Sequence, residues 1–271
     1  MSLEETRFTA LGSHCHLLGI GLRPGSLRRA EAWVASMHLR FSRFLPDSEV
    51  SRLNASAGVW VEVSGELEAM LRSALEAYQE SGGLVHVGVL GSMLAIGYTR
   101  PLAEGPAPGG EPAEAPQPLS EMLEVRPGGA RLRPGSGIDL GGIAKGWLAD
   151  RLSPNLGRNS LVNLGGDLQA RGGGPEGQGW PVGLGGATLM LRDQGAATSG
   201  TWRRRWAQEG CAVHHLIDPR TGRPALSDLK EVSVVAPTAT AAEVWAKTAL
   251  LLGSSGAESF LAGRALAWCM D

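Results

Sequence analysis

Residues 136–146 read SGIDLGGIAKG, and this stretch is the most informative one about the site expected of the chain. Asp139 leads into a Gly-Gly turn, Lys145 follows six residues after the acid, and an apolar stretch begins at Trp147. Glycines let a backbone approach a ligand closely, and the amides at a helix start attract phosphate. Lys145 can neutralise a phosphate charge, and Asp139 offers an oxygen acceptor. The stretch therefore predicts a nucleotide pocket, although it matches neither GxGxxG nor a Walker A loop.

The composition favours a folded globular chain. The 271 residues are 43% hydrophobic and carry a net charge of −2. Without a basic stripe, the chain is not expected to bind nucleic acid, and three cysteines without a CxxC do not favour a disulfide framework. No apolar run approaches the roughly 18 residues of a membrane span. The N-terminus lacks an apolar signal core, so we expect a cytoplasmic location, with a trimmed export signal as the alternative.

The hydrophobic pattern predicts an α+β fold in which helices pack on a sheet with antiparallel hairpins. Alternation over 7–22 predicts a first strand, and apolar spacing over 26–44 predicts a helix. A second helix over 65–79 follows Ser64, whose hydroxyl suits an N-cap. Later elements are a hairpin over 123–132, strands over 161–164, 180–184, 188–191 and 231–236, and helices over 241–252 and 256–266.

Several blocks along the chain resemble, in the family's order, those of the ApbE family, the FAD:protein FMN transferases. They lie on both sides of the central stretch 136–146, so the resemblance covers most of the sequence. The flanking blocks are 42–54 (SRFLPDSEVSRLN), 161–167 (LVNLGGD), 197–200 (ATSG), 214–222 (HHLIDPRTG) and 248–253 (TALLLG).

The resemblance implies one ApbE-like, T-fold-like domain over residues 1–271, with a mixed or antiparallel sheet packed by helices. The Pro/Gly-rich residues 101–118 would be a flexible loop inside it. The implied reaction cleaves FAD and moves FMN to a threonine or serine of an acceptor flavoprotein. Two alternatives stay open: a flavin-binding relative that has lost transfer, and an FAD pyrophosphatase. A homodimer is also left open.

The same resemblance implies which residues contact FAD. Family members usually carry Gly-x-Phe-Asp-Pro-Thr after the second helix, and here the aligned residues 83–88 read GLVHVG. The backbone there can still line the flavin although the side chains have changed. The expected FAD contacts are Phe44, Leu84, Val85, His86, Asp139, Lys145, Asp167, Ser199 and Gly200.

His215 is the candidate general base, and Lys145 is the candidate stabiliser of charge on the pyrophosphate. If the stretch is extended, His214 points the other way, because side chains alternate along a strand. Asp218 either orients His215 or caps the turn, and Arg220 either meets phosphate or covers surface.

Other residues carry open alternatives. Ser199 and Gly200 would form a helix N-cap or present amides to the pyrophosphate. For Glu49, a capped turn is the preferred interpretation.

The resemblance also implies Mg²⁺, held by the Gly142 carbonyl and by Thr248. Family members place an aspartate four residues before that threonine, where this chain has Val244. Glu243 is the nearest candidate ligand, but one residue is about 100° around a helix. Lys247 can compete with the cation or partly stand in for it. Since Mg²⁺ prefers near-octahedral oxygen ligation, we expect weak Mg²⁺ binding or none.

Overall fold

The computed structural model describes residues 2–105, 107–202, 204–208 and 211–271. Within these residues the chain forms strands and helices, with a run of ten consecutive strands between the sixth and seventh α-helices. The strands are β1 (Leu3–Ala10), β2 (Ser13–Ile20), β3 (Val61–Glu62), β4 (Leu123–Arg126), β5 (Gly129–Leu132), β6 (Ser160–Leu164), β7 (Asp167–Arg171), β8 (Trp180–Leu184), β9 (Ala187–Leu191), β10 (Gln194–Gly200), β11 (Arg205–Gln208), β12 (Cys211–His214), β13 (Ile217–Asp218), β14 (Arg223–Pro224), β15 (Glu231–Ala236) and β16 (Ala267–Met270).

No helix in the part of the chain that the structure describes is long and apolar enough to cross a membrane. A 3₁₀ turn over Leu102–Glu104 is the regular structure in the described part of 101–118. The α-helices are α1 (Ser26–Phe41), α2 (Glu49–Asn54), α3 (Gly65–Glu80), α4 (Leu90–Ala95), α5 (Leu119–Met122), α6 (Ala144–Leu156), α7 (Ala239–Leu252) and α8 (Ser254–Leu261).

The chain divides into two compact units, each built from segments distant in sequence. The first unit comprises Met1–His38, Ile143–Gly200 and Asp228–Asp271. The second unit comprises Leu39–Gly142 and Thr201–Ser227. The boundary between Gly142 and Ile143 falls inside the central stretch, so this motif contributes residues to both units. That the whole chain acts as one flavin-binding domain stays a prediction.

The first unit is built on a seven-stranded antiparallel sheet in the order β1-β2-β6-β7-β10-β15-β16. Helices α6 and α7 contact each other and the central strands β6, β7, β10 and β15. Gln169 faces these helices, since its Oε1 accepts a hydrogen bond from the backbone N of Ala239 at 3.0 Å. Its neighbours Leu168 and Ala170 therefore face the other side, where Trp180 of the β8–β9 hairpin is fully buried among them.

The second unit is built from smaller sheets and from helices that include the 16-residue α3. Strands β3, β5 and β4 form a three-stranded sheet in that order, and β11–β12 and β13–β14 form separate two-stranded sheets. The predicted hairpin over 123–132 is confirmed as β4–β5. The predicted N-cap of α3 is also confirmed, because Ser64 Oγ accepts a hydrogen bond from Leu67 N at 3.2 Å.

The α+β class is confirmed, but three sequence predictions were wrong in detail. Residues 7–22 form a hairpin rather than one strand, because Leu11 (φ 56°) and Gly12 (φ 64°) turn the chain. The predicted helix over 256–266 ends at Leu261, and the chain continues into the edge strand β16. Ser199 and Gly200 pair with β15 as the end of β10, so they form no helix N-cap.

Candidate active site

In the second unit, Asp139 is held in a single orientation by three contacts. Its Oδ1 accepts a hydrogen bond from Gly141 N at 2.7 Å, and its own backbone N donates to Val87 O at 2.7 Å. Arg43 Nε donates to Oδ2, and the Asp139 and Arg43 side chains are only 11% and 6% exposed. The carboxylate therefore has a buried counter-charge and a fixed direction, as a ligand acceptor requires.

An aromatic group surrounds this ion pair. The Arg43 guanidinium lies 4.1 Å from the ring centroid of Phe44 and 4.9 Å from that of Tyr98. Tyr98 in turn lies 5.5 Å from Trp206, whose Nε1 donates to Ile96 O at 3.1 Å. Burial raises the pKa of the Tyr98 hydroxyl. The rings are tilted to one another, by 58° for Phe44 and Tyr98 and by 42° for Tyr98 and Trp206, and with the guanidinium they form an aromatic group beside Asp139.

Sequence reasoning missed most of this group. Phe44 was predicted to contact the cofactor, but no role was given to Arg43, although it lies in the block 42–54 that carries the resemblance. Tyr98 and Trp206 lie in no such block, so no signal in the sequence pointed to them. That Phe44 contacts FAD stays a prediction.

Asn54 fixes the backbone just before Asp139. Its Nδ2 donates to Ile138 O at 3.0 Å, and its Oδ1 accepts from Ile138 N at 2.8 Å. The backbone N–H and C=O of Ile138, which is fully buried, thus both find a partner in one side chain that lies 84 residues away in sequence. Asn54 is therefore a positioning residue for Asp139.

The segment predicted to line the flavin turns its side chains inward. Leu84, Val85 and His86 are buried, with exposures of 8%, 2% and 9%. His86 Nδ1 accepts from Gly88 N at 2.9 Å, so Nε2 carries the proton and donates to Gln117 O at 3.0 Å. Burial lowers the pKa of His86. Any contact from this segment to a ligand would therefore be made by its backbone.

The two adjacent histidines differ in their surroundings. His214 is buried at the end of β12, where Nε2 donates to Ala225 O at 3.1 Å and burial lowers its pKa. His215 is half-buried and its backbone N donates to Arg204 O at 3.3 Å. Asp218 caps the following turn, accepting from the backbone N of Arg220 at 2.9 Å.

The Arg220 side chain folds back onto the same carboxylate. Its terminal nitrogen lies 2.7 Å from an Asp218 oxygen, and the side chain is 55% exposed. This geometry agrees with the alternative in which Asp218 caps the turn. It also agrees with the alternative in which Arg220 covers the surface. Glu49 also has a structural role, since it accepts hydrogen bonds from Ser64 N at 2.8 Å and Arg40 Nε at 2.6 Å.

In the first unit, Lys145 joins two buried carboxylates. Its ammonium donates to Asp167 Oδ2 and lies 3.2 Å from Glu243 Oε1. The side chains of both acids are 5% exposed, and that of Lys145 is 13% exposed. The structure thus brings together three residues that were predicted separately from the sequence. We call Asp167, Glu243 and Lys145 the acid–lysine cluster.

Helices α6 and α7, which carry Lys145 and Glu243, cap each other. Glu243 Oε2 on α7 accepts from Gly146 N in the first turn of α6 at 2.9 Å. Asp150 on α6 accepts from Ala239 N at 2.8 Å and Thr240 N at 2.9 Å in the first turn of α7. A carboxylate at a helix N-terminus stabilises amides that have no partner in the helix. A Cβ on Gly146 would lie 2.7 Å from Ala239 O, so glycine allows this approach.

Burial dominates the electrostatics of Asp167. It raises the pKa of this carboxyl from 3.8 to about 6, and the nearby charge of Glu243 acts in the same direction. The positive charges of Lys145 and Lys247 act against that rise. The Asp167 carboxyl therefore depends on the neighbouring ammonium groups to limit the rise of its pKa.

The predicted side-chain metal ligands, Thr248 and Glu243, have other partners. Thr248 is 1% exposed and its Oγ1 donates to Val244 O at 2.7 Å, which occupies the hydroxyl within its own helix. Val244 is also buried, with 1% of its surface exposed. The α7 residue that contacts Lys145 is its neighbour Glu243. Gly142 belongs to the second unit. Within the described part of the chain, no cluster of three or more His, Cys, Asp or Glu could hold a metal ion.

Known proteins resemble this chain over nearly its whole length. Residues 11–269 match the ApbE family. The FAD:protein FMN transferase of Treponema pallidum (strain Nichols) is 31% identical over 280 residues, covering 90% of this chain and 77% of that protein. The protein of the same name from Salmonella typhimurium is 30% identical over 260 residues, covering 88% of this chain and 72% of that one.

Solved structures show the same fold. The ApbE protein from Thermotoga maritima superposes with a TM-score of 0.85 at 22% identity, covering 99% of this chain and 94% of that one. The apo flavinyl transferase ApbE of Pseudomonas stutzeri gives 0.81 at 20% identity, covering 96% and 88%. The class is thus an α+β protein with this antiparallel sheet and its packed helices. From the sequence match, the chain belongs to the ApbE family.

Proposed function

We propose that this protein is an FAD:protein FMN transferase. It would cleave the pyrophosphate of FAD, attach FMN to a threonine or serine of an acceptor protein, and release AMP. The observation that carries the proposal is the family match over residues 11–269, with relatives named for this activity at 30% and 31% identity. The site geometry supports it in each unit separately.

The second unit supplies groups that suit the ring systems of FAD. Phe44 and Tyr98 are half-buried aromatic rings beside Arg43. Arg43 orients Asp139 as an acceptor for a ring N–H or a ribose hydroxyl. We expect FAD to bind more tightly than FMN, because the blocks that carry the resemblance are expected to contact the adenylate as well as the flavin.

The proposed chemistry is a phosphoryl-group displacement. The acceptor hydroxyl attacks the phosphorus of the FMN half, a new P–O bond forms, and the bond to the bridging oxygen breaks. AMP leaves, and the hydroxyl proton passes to His215, the half-buried histidine of the pair. Lys145 would stabilise the negative charge that develops on the pyrophosphate.

The chain's residues do not fit the Mg²⁺ that the resemblance implies. Lys145 already contacts both carboxylates of the acid–lysine cluster, and the Thr248 hydroxyl donates within α7. No step of the proposed reaction is therefore assigned to a metal ion.

The proposal is tested by incubating purified protein with FAD and a threonine-containing acceptor peptide. AMP is measured by chromatography and FMN-peptide by mass spectrometry. We expect both products in equal amounts. AMP with free FMN would identify a pyrophosphatase instead, and bound, uncleaved FAD would identify a flavin carrier.

A pair of histidine variants tests the base. His215→Gln is expected to lower the rate of FMN transfer about 100-fold or more, the usual contribution of a general base, while FAD still binds. His214→Gln is the matched control, because its amide can still donate to Ala225 O and it should keep the rate. Equal rates in the two variants would remove His215 from the reaction.

A further inference from the structure

The acid–lysine cluster has a second lysine beside it. Lys247 lies on α7 four residues after Glu243, which places the two on the same face of the helix. Lys247 is half-buried, and its positive charge lowers the pKa of Asp167. Two carboxylates and two ammonium groups therefore balance in charge at this place in the first unit.

The scarcity of lysine in this chain makes their position informative. The sequence has 22 arginines but only three lysines, and two of the three are Lys145 and Lys247. The chain uses arginine for nearly all other positive charge, including the buried pair with Asp139. A lysine ammonium is a compact point charge, whereas a guanidinium is broad and planar. Lys145 is thus a compact cation that contacts two carboxylates at once.

We infer that the ammonium groups of Lys145 and Lys247 take the place of a divalent cation at Asp167 and Glu243, and that the cluster is closed to Mg²⁺. A Mg²⁺ ion needs about six oxygen ligands in near-octahedral geometry at close range. To enter, it would have to displace Lys145 from both carboxylates and lie beside the charge of Lys247. The neutral Thr248 hydroxyl, committed to Val244 O, adds no compensating ligand.

The proposal has a consequence for the reaction, and that part rests on the proposed function. Charge on the pyrophosphate would be stabilised by built-in ammonium groups, so AMP release would not require added divalent cation. The binding claim itself concerns only the cluster and is tested without FAD.

The direct test is a titration of the full-length, FAD-free protein with Mn²⁺, in which electron paramagnetic resonance measures free Mn²⁺. We expect the unmodified protein to show no saturable site. Lys247→Thr removes the charge and adds an oxygen, so a saturable Mn²⁺ site should appear in this variant. Lys230→Thr is the matched control, since it removes the one remaining lysine, which is exposed in the same unit, and it should bind no Mn²⁺.

Two further variants keep the test decisive. Lys247→Arg retains the charge and should still exclude Mn²⁺, so saturable Mn²⁺ binding by this variant would overturn the proposal. One tightly bound Mn²⁺ per unmodified chain, lost in Glu243→Gln, would overturn the proposal. AMP release that persists in EDTA supports it, and release abolished by EDTA and restored by Mg²⁺ overturns it. If no AMP forms under any condition, the proposed function fails and the Mn²⁺ titration alone decides this inference.

Discussion

Replacing Asn54 with alanine tests whether the central stretch is held from a distance. The change removes the donor to Ile138 O (3.0 Å) and the acceptor for Ile138 N (2.8 Å). Ile138 is fully buried, so its backbone N–H and C=O would lose their partners in the interior. Each unsatisfied buried group costs about 1–3 kcal/mol. We expect a total near 2–4 kcal/mol, because Asn54 is half-buried and water can follow the shortened side chain.

The free energy of unfolding is measured by urea denaturation followed by tryptophan fluorescence, with linear extrapolation to water. Asn155→Ala is the control, since Asn155 is exposed and donates only to Arg151 O in its own helix. Surface changes of this kind usually stay within about 0.5 kcal/mol. FAD affinity should also fall in folded Asn54→Ala, because Ile138 precedes Asp139. The reasoning fails if Asn54→Ala and Asn155→Ala unfold at the same urea concentration.

Two further predictions concern stability. Asp150→Ala should lower the free energy of unfolding by about 1–2 kcal/mol, which is the usual effect of losing a helix cap. The loss is limited because Gln169 still accepts a hydrogen bond from Ala239 N. An unchanged urea midpoint would contradict this prediction. The pKa of His86 is lowered by burial, so the unfolded chain binds its proton more tightly than the folded one. Stability should therefore fall as pH drops through the ordinary value of about 6.5, and His86→Asn should flatten this slope between pH 7.5 and 5; parallel curves for the two proteins would refute it.

Local patterns in the sequence were sufficient to predict most elements. The cap at Ser64 and the hairpin over 123–132 depend on neighbouring residues, so the structure could be expected there. The β1–β2 hairpin was missed because its turn begins with Leu11, which adopts a positive φ without the Asn-Gly or Asp-Gly signal typical of such turns. Strand β16 was missed because only its pairing with β15 distinguishes it from a continued helix.

In the candidate site too, residues in local motifs were predicted and most of their distant partners were not. Asp139, Lys145 and Asp167 were found because they lie in short motifs with recognisable spacing. Their partners lie far away in sequence: Arg43 is 96 residues from Asp139, and Glu243 is 98 residues from Lys145. The packing of the sheet and helices determines which residues pair over such distances. The spacing of motifs in a single sequence does not show that packing. The side of α7 that faces Lys145 could not be fixed for the same reason.

The mutual capping of α6 and α7 has a consequence for the order in which the protein folds during synthesis. Helix α6 has 13 residues and α7 has 14, lengths at which isolated helices in water are only marginally stable. Glu243 is 97 residues beyond Gly146, so α6 leaves the ribosome long before its cap is made. The first unit thus completes its long-range contacts only when the C-terminal segment emerges. Fragments that end before Ala239 should accumulate with α6 frayed and the sheet beneath it open to aggregation.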